Sequence, residues 1–204
     1  MKVLIRQGSL TDGDETVLVN ASNTNAVLGS GVSAAIKQAC GKGYQEQVLV
    51  ALGHHFKGPM QPGQVLLTHA GTHPRASWVA HVAVMDYREG HTPNSAPTVE
   101  TIRAGYQRLW EVVEAIPRGG AQSVALVALG AGTGNLGVAV STRVGAETLK
   151  AFIALHPNTH IERVTFYGFQ LPDYIAVAHV LAEAFPEVKP QLPPEVLRFI
   201  EEGA

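Results

Sequence analysis

The sequence predicts an α/β fold, a three-layer α/β/α arrangement around a mixed, mostly parallel central sheet of about six strands. Three observations predict it. Short β-branched, apolar runs alternate with longer runs of helical periodicity along the chain, the pattern that places helices on both faces of a parallel sheet. The run Gln122–Leu129 (QSVALVAL) is almost continuously apolar, as a central strand covered on both faces requires. Twice, a strand passes through a glycine-containing loop directly into a helix.

Composition bounds the answer. At 204 residues and 46% hydrophobic content, the chain can bury one core, and no charged or low-complexity block divides it. One domain is expected over residues 1–185, followed by a Pro-rich tail, 186–204, that ends in a short helix. Fifteen basic and seventeen acidic residues leave a formal charge of −2, which argues against non-specific binding to nucleic acid. The opening MKVLIRQGSL has neither the apolar run of a signal peptide nor the span of a membrane helix. A cytoplasmic location and no membrane partner are the expectations. A single cysteine, Cys40, excludes an internal disulfide. It falls on an apolar helical stripe, as a buried structural thiol would.

Taken in order, Lys2–Gln7 is the first strand and Gly8–Gly13 a turn. Thr16–Val19 is the second strand, expected beside the first, and Asn20-Ala-Ser-Asn23 is expected to end it in a polar loop because these side chains bond to backbone and tolerate left-handed conformations. From Gly31, the residues Val32, Ala35, Ile36, Ala39 and Cys40 repeat at helical spacing, with Gly41 as the stop. Tyr44–Phe56 is helical but interrupted by Gly53, and Gly58–Gly63 is a loop. Gln64–His69 and Trp78–Val84 are two further strands. His69, His73 and His81 match no zinc-type spacing and have no Cys or Glu to join them, so no metal site is expected.

Arg88–Pro97 is a surface loop, and Val99, Ile102, Tyr106, Leu109, Val113 and Ile116 then form the best helical stripe in the chain, ended by Gly119-Gly120. After the strand Gln122–Leu129 and the loop Gly130–Gly137, a helix from about Ser141 to Leu155 carries Val144, Thr148, Ala151 and Leu155 on one face. Ile161–Gly168 is the last strand, and a final helix follows with Tyr174, Val177, Ala178, Leu181 and Phe185 inward. In the tail, Val196, Leu197 and Ile200 form a short stripe suited to docking on its own domain or on a second subunit.

In such folds ligands bind beyond the carboxyl ends of the strands. Both glycine loops lie there, and each feeds a helix N-terminus with unpaired amides and a positive dipole end. Gly29 and Gly31 allow close approach to the backbone of the first helix. Two such loops suit one diphosphate held between them, hence a nucleotide-like ligand. Neither is a common phosphate fingerprint. GSGVSA lacks the Lys-Ser/Thr of a P-loop, and GAGTGNLG has Asn and Leu where a dinucleotide fold has its third glycine and helix.

Val17-Leu-Val-Asn20-Ala-Ser-Asn23, followed by Leu28-Gly-Ser-Gly31-Val32, resembles the V-N-A-A-N…G-G-G-V motif of macro domains. Gly8-Ser-Leu-Thr11 stands at the family's G-D-I-T, Gly63–Thr68 resembles its G-E-A-x-x-T strand, Trp78–Val82 its Y-V-I-H-x-V strand, and Ala128–Gly137 its second, diphosphate-wrapping loop. The resemblance covers roughly Met1–Phe185 and implies a cleft for ADP-ribose or an ADP-ribosylated substrate, with no cofactor. It implies that Asn20 and Asn23, the candidate catalytic residues, position the distal ribose and shape its loop. Gly29, Ser30, Gly31 and Val32 would give amides to one side of the diphosphate, with Gly130, Gly132, Thr133, Gly134 and Asn135 on the other. Ser9 and Leu10 would meet the base, and Leu136 the distal ribose. Phe169 suits two readings, stacking on adenine or packing under the final helix.

Three departures bear on function. Ser9 replaces the acidic residue that typically reads the adenine amino group, and Leu136 replaces an aromatic. Ser33 stands where hydrolytic members carry an acidic residue, so the obvious carboxylate near a scissile ester is missing. His81 or Asp86 would have to enter the cleft from another strand to replace it. The leading expectation is therefore a binder of ADP-ribose or a related ADP-ribosyl nucleotide. The alternative is a hydrolase of ADP-ribosyl esters, with a poly-ADP-ribose or RNA module ranked last because only 6% of residues are aromatic.

Overall fold

The computed structural model describes residues 1–117 and 122–202. Six strands, β1 (Lys2–Gln7), β2 (Val17–Asn23), β3 (Val65–His69), β4 (Trp78–Met85), β5 (Gln122–Val127) and β6 (Ile161–Gly168), form one sheet in the order β1-β6-β5-β2-β4-β3. Every pairing is parallel except that of β3 with β4. The helices are α1 (Gly31–Ala39), α2 (Tyr44–Phe56), α3 (Val99–Glu114), α4 (Val138–Leu155), α5 (Leu171–Ala184) and α6 (Pro194–Glu202).

Strand alternation divides the core between the two faces of the sheet. Val17 and Val19 of β2, Val124 and Leu126 of β5, and Val164 and Phe166 of β6 join Tyr106, Trp110, Leu149 and Val177 of α3, α4 and α5 in one apolar cluster. Leu18, Ala125 and Val79 point the other way, to Ile36, Tyr44 and Val48 of α1 and α2. That is the expected α/β/α layering. No helix among the described residues is long and apolar enough to cross a membrane.

Four expectations need correction. The first two strands are not neighbours: β1 is an edge strand paired with β6, and β2 lies between β5 and β4. Chain order misleads here because a parallel sheet takes its strand order from helix packing, not from turn length. The second strand does not stop at Val19. It continues through Asn23, with Asn20 paired in register with His81, because the buried polar side chains find partners of their own. Gly53 does not interrupt α2, which runs on to Phe56. On α4 the buried face is Ser141, Val144, Gly145, Thr148, Leu149 and Phe152, whereas Ala151 and Leu155 are exposed. A Cβ on Gly145 would stand 3.0 Å from the Tyr106 ring, so the small residue admits α3 and rolls that side of α4 inward.

Helix α3 ends at Glu114 with Ala115 as its cap, and Gly119-Gly120, expected to end it, lie outside the described residues. In the tail, Val188, Leu192 and Val196 are buried in the same cluster as Val3 of β1, and the Gln191 amide donates to the Val3 carbonyl at 3.0 Å. This packing covers the β1 edge, which would otherwise be open to strand pairing.

Candidate functional site: a cleft between two glycine loops

The cleft follows from how β2 pairs. With β4 it pairs from Val17 to Asn23, in register through Ser22–Ala83 and with a shift before Asn23–Met85, but with β5 it pairs only at Val17–Val124 and Leu18–Ala125. Beyond Leu18, β2 and β5 part. Their following helices go to opposite faces, α1 to the cluster holding Leu18 and α4 to the cluster holding Val124, and this divergence opens a crevice at the carboxyl ends of the strands. The crevice has a volume of about 460 Å³, within the range of roughly 300–1,000 Å³ usual for small-molecule sites.

One wall is the loop from Asn23 to Ser30. The Asn23 carboxamide accepts from the Asn25 and Val27 amides at 3.1 and 3.2 Å and donates to the Val27 carbonyl at 2.9 Å. From α2, Gln45 accepts from the Leu28 amide at 2.7 Å and donates to the Ala26 carbonyl at 3.1 Å. The loop is thus fastened by side chains. It delivers Gly29, Ser30, Gly31 and Val32 to the cleft lining. Ser30, the N-cap of α1, makes no side-chain capping bond, and the first helical bond is from the Ala34 amide to the Ser30 carbonyl at 3.2 Å. The amides before Ala34 therefore have no helical partner.

The opposite wall is the loop after β5, which lines the cleft with Ala128, Gly130, Gly132, Thr133 and Gly134. Its α4 N-cap, Gly137, also lacks a side-chain bond. Asn135, in a left-handed conformation at φ 55°, returns its amide to the Gly132 carbonyl, and the Leu136 amide returns to Gly130. The loop closes on itself, and Leu136 packs against the apolar cluster instead of lining the cleft.

The cleft has two different ends. At the carboxyl end of β6 stand Tyr167, its last residue but one, and after it Phe169, 67% exposed, and Asp173. At the carboxyl ends of β2 and β4 stand Met85, the last residue of β4, and after the strands Asn25, Val27 and Tyr87. Among the described residues the lining contains no Lys or Arg, and Asp173 is its one charged residue. An anionic group held here is therefore held by amide dipoles, not by side-chain cations. The Tyr167 hydroxyl donates to the fully buried Glu15 carboxylate at 2.9 Å. Burial first, and this carboxylate second, push the Tyr167 phenol up to about 12.

Behind the first wall lies a buried polar chain. Ser33, in the first turn of α1 and on the cleft lining, donates to the Asn20 side-chain oxygen at 2.8 Å. The Asn20 amide nitrogen faces His81 Nδ1 at 3.0 Å, and His81 Nε2 lies 3.1 Å from the Thr68 hydroxyl and 3.3 Å from that of Tyr44. His81 is fully buried, and burial lowers its pKa to about 3, so the ring is neutral. Burial likewise raises the Cys40 thiol to about 11, which keeps it protonated.

Of the residues singled out in the sequence, Asn23, Gly29, Ser30, Gly31, Val32, Gly130, Gly132, Thr133, Gly134 and Phe169 come together on the cleft. Asn20 lies behind it, fully buried. Ser9 caps a short turn through Thr11, and Leu10 is buried in the α1–α2 cluster. Neither they nor Asn135 reach the lining. Asp86 is paired with Arg88 at 2.6 Å, and His81 stays behind the wall. The other two histidines also have separate posts: His69 stacks on Trp78 at 4.2 Å, and His73 holds a loop through the Arg75 and Ala76 amides. Among the described residues, no group of three or more His, Cys, Asp or Glu could hold a metal ion.

Sequence reasoning missed Asn25, Tyr87, Tyr167 and Asp173. The rule that ligands sit beyond strand ends, applied to β4 and β6 as well as β2 and β5, would have found Tyr87 and Tyr167. Asp173 carries a capping-box signal, since its carboxylate accepts from the Gln170 amide at the start of α5.

Comparison with known proteins finds the same fold. An uncharacterized protein of Aeropyrum pernix is 31% identical over 142 residues, covering 70% of this chain and 67% of that one. An O-acetyl-ADP-ribose deacetylase of Cronobacter turicensis is 26% identical, covering 89% of this chain and 97% of its own. The Oceanobacillus iheyensis macrodomain with ADP superposes with a TM-score of 0.73 at 20% identity, over 91% of this chain and 93% of that one. The Trypanosoma brucei macrodomain in complex with ADP-ribose superposes with a TM-score of 0.67 at 21% identity, over 86% of this chain and 67% of that one. The profile of the macro domain matches residues 19–145, and the chain belongs to the macro-domain family.

Proposed function

We propose that this macro domain binds ADP-ribose, or a related ADP-ribosyl nucleotide, in the cleft between its two glycine loops. One observation carries the reading: two helix N-termini without side-chain caps, α1 and α4, open on opposite walls of one crevice that has no cationic lining among the described residues. Such amides suit a diphosphate. Gly29 to Val32 take one side of it, and Gly130, Gly132, Thr133 and Gly134 the other. Phe169 offers a stacking face for the base at the β6 end, and Asn23 shapes the far end. The relatives support this, since the solved macrodomain of Trypanosoma brucei holds ADP-ribose and that of Oceanobacillus iheyensis holds ADP. The binding domain is residues 1–185, with 186–204 as its tail, and its setting is the cytoplasm.

Calorimetry with ADP-ribose, ADP and single-stranded RNA tests the reading. Heat is expected with ADP-ribose and ADP and none with the RNA. Absence of heat with ADP-ribose at millimolar concentration would sink it.

A second reading is hydrolysis of an ADP-ribosyl ester, favoured by the two Cronobacter relatives named O-acetyl-ADP-ribose deacetylase. The one carboxylate on the lining among the described residues, Asp173, stands at the β6 end, away from Ser33. General-base catalysis by a side chain typically contributes ~10²–10⁴-fold, so turnover without it is expected to be slow. Mass spectrometry of O-acetyl-ADP-ribose and of mono-ADP-ribosylated protein separates binder from hydrolase.

A further inference from the structure

Helix α2 carries an outer face that the rest of the chain leaves without partners. Tyr44, Val48 and Leu52 point inward to the sheet, and the opposite side exposes Glu46, Val50, Gly53 and His54. Val50 is 73% exposed and its neighbour Leu49 43%. An open groove runs along this side, lined by Glu46, Gln47, Val50, Ala51, His54 and His55. None of these residues lines the cleft between the glycine loops.

Two observations mark the face as a contact surface. First, its polar groups are uncommitted. Exposed charges on the other helices are tied across helix pairs, Arg103 of α3 to Glu147 of α4 at 2.9 Å and Arg143 of α4 to Glu183 of α5 at 3.3 Å. On α2 the side-chain hydrogen bonds come from Tyr44 and Gln45, and among the described residues none comes from Glu46, Gln47, His54 or His55. Second, Gly53 stands inside a regular helix, where glycine is weaker than alanine, yet a Cβ there would meet nothing within 4 Å. The chain's own packing does not require this glycine. A second helix laid close against α2 would.

The order of residues along the face selects the occupant. Glu46 lies in the first turn of α2, and His54 and His55 lie in the last. Glu46 and His54 are equally spaced about Val50, as are Gln47 and Gly53. A second α2 laid antiparallel over Val50 therefore sets Glu46 of each copy against His54 of the other, and Gln47 over Gly53. A parallel copy would set Glu46 against Glu46, with like charges together. The rows Glu46-Val50-His54 and Gln47-Ala51-His55 follow the i, i+4 spacing whose ridges enter the grooves of a neighbouring helix.

We propose that α2 pairs antiparallel with α2 of a second copy of this chain, about a two-fold axis at Val50. The imidazole N–H of His54 donates to the Glu46 carboxylate of the other copy, twice by symmetry. A helix of 13 residues is about 20 Å long, and one such helix pair buries less than the roughly 1,200 Å² of a standard interface. The dimer is accordingly weak, with a Kd of about 0.1–1 mM.

Small-angle X-ray scattering of the full chain, from micromolar to millimolar concentration, tests this without reference to nucleotide binding. The scattering mass should rise from one chain toward two. Val50→Glu, which brings two carboxylates together at the axis, should hold the chain monomeric throughout with its far-UV spectrum unchanged. Glu46→Lys and His54→Glu should each weaken the dimer about three- to tenfold, and their combination should restore it, because the pair is remade with its sense reversed. Gly53→Leu should also weaken the dimer while leaving the urea midpoint of the monomer at or above that of the unchanged chain. A dimer that survives Val50→Glu, or a combined exchange that restores nothing, would overturn the inference. So would a chain that stays monomeric at millimolar concentration, which would leave the face to a partner of other chemistry.

Discussion

The two loops that face each other across the cleft are both rich in glycine, but their glycines serve different ends. In the first loop, an added Cβ on Gly29 or Gly31 would meet no protein atom within 4 Å. Gly31 is retained for its left-handed backbone, φ 53°, and for the open space in front of it. In the second loop, a Cβ on Gly134 would stand 2.5 Å from the Gly130 carbonyl oxygen and 2.7 Å from Pro97 Cγ. That glycine exists for packing. The supports differ in the same way: Asn23, Gln45 and the Ser33–Asn20–His81 chain hold the first loop through side chains, while the second is closed by its own backbone. A glycine-rich loop in a sequence therefore does not say whether the ligand or the protein needs the glycine.

The largest expected effect tests the open side of this contrast. Gly31→Glu places a carboxylate and its bulk where a diphosphate would lie, and ADP-ribose affinity should fall by more than about a hundredfold because like charges brought together cost several kcal/mol. The strained φ should cost the fold only about 1–2 kcal/mol. Calorimetry and denaturant unfolding read the two quantities separately, and unchanged affinity would mean that this loop is only structural.

Acid should sharpen the contrast between the supports. His81 is held near 3 against an ordinary value of 6.5, so below 6.5 the unfolded chain takes a proton that the folded chain refuses. Stability from this group is fully present above about pH 6.5 and is lost as pH falls toward 3, by about 2 kcal/mol at pH 5. Thermal unfolding at pH 7 and pH 5 checks it. A His81→Gln variant should show a shallower pH dependence, and an unchanged slope would remove His81 as the cause.

Gly134→Ala should destabilise the chain by about 1–3 kcal/mol, the usual cost of overpacking, because the neighbours a methyl group would meet are backbone and a proline ring. Gly132→Ala is its control. Nothing lies within 4 Å of the added Cβ, and a surface substitution of this kind should stay within about 0.5 kcal/mol. Equal losses for the two variants in urea titration would erase the distinction drawn between these glycines.

Local features were legible in the sequence. The strands Lys2–Gln7 and Ile161–Gly168 have the expected bounds, the α3 stripe is buried at Ile102, Tyr106, Leu109 and Val113, and both loops stand at the ends of parallel strands. The polar run after Val19 continues the strand where the sequence predicts a loop, because its buried polar side chains find partners. Asn20 has two, Ser33 and His81, respectively thirteen and sixty-one residues away. Ser9 and Leu10 hold the motif position that predicts contact with the base, yet the short turn that Ser9 caps keeps both off the cleft lining.

The sequence by itself determined the alternation of elements, the placing of glycine loops before helices and the absence of a carboxylate at Ser33, since these depend on neighbours within a few residues. Only the tertiary structure decided that β2 sits between β5 and β4, that it leaves β5 after Leu18 to open the cleft, and that Ser33, Asn20 and His81 form one chain. Strand order and buried polar pairing arise from packing between distant segments, and no local pattern of residues encodes which distant partner each will meet.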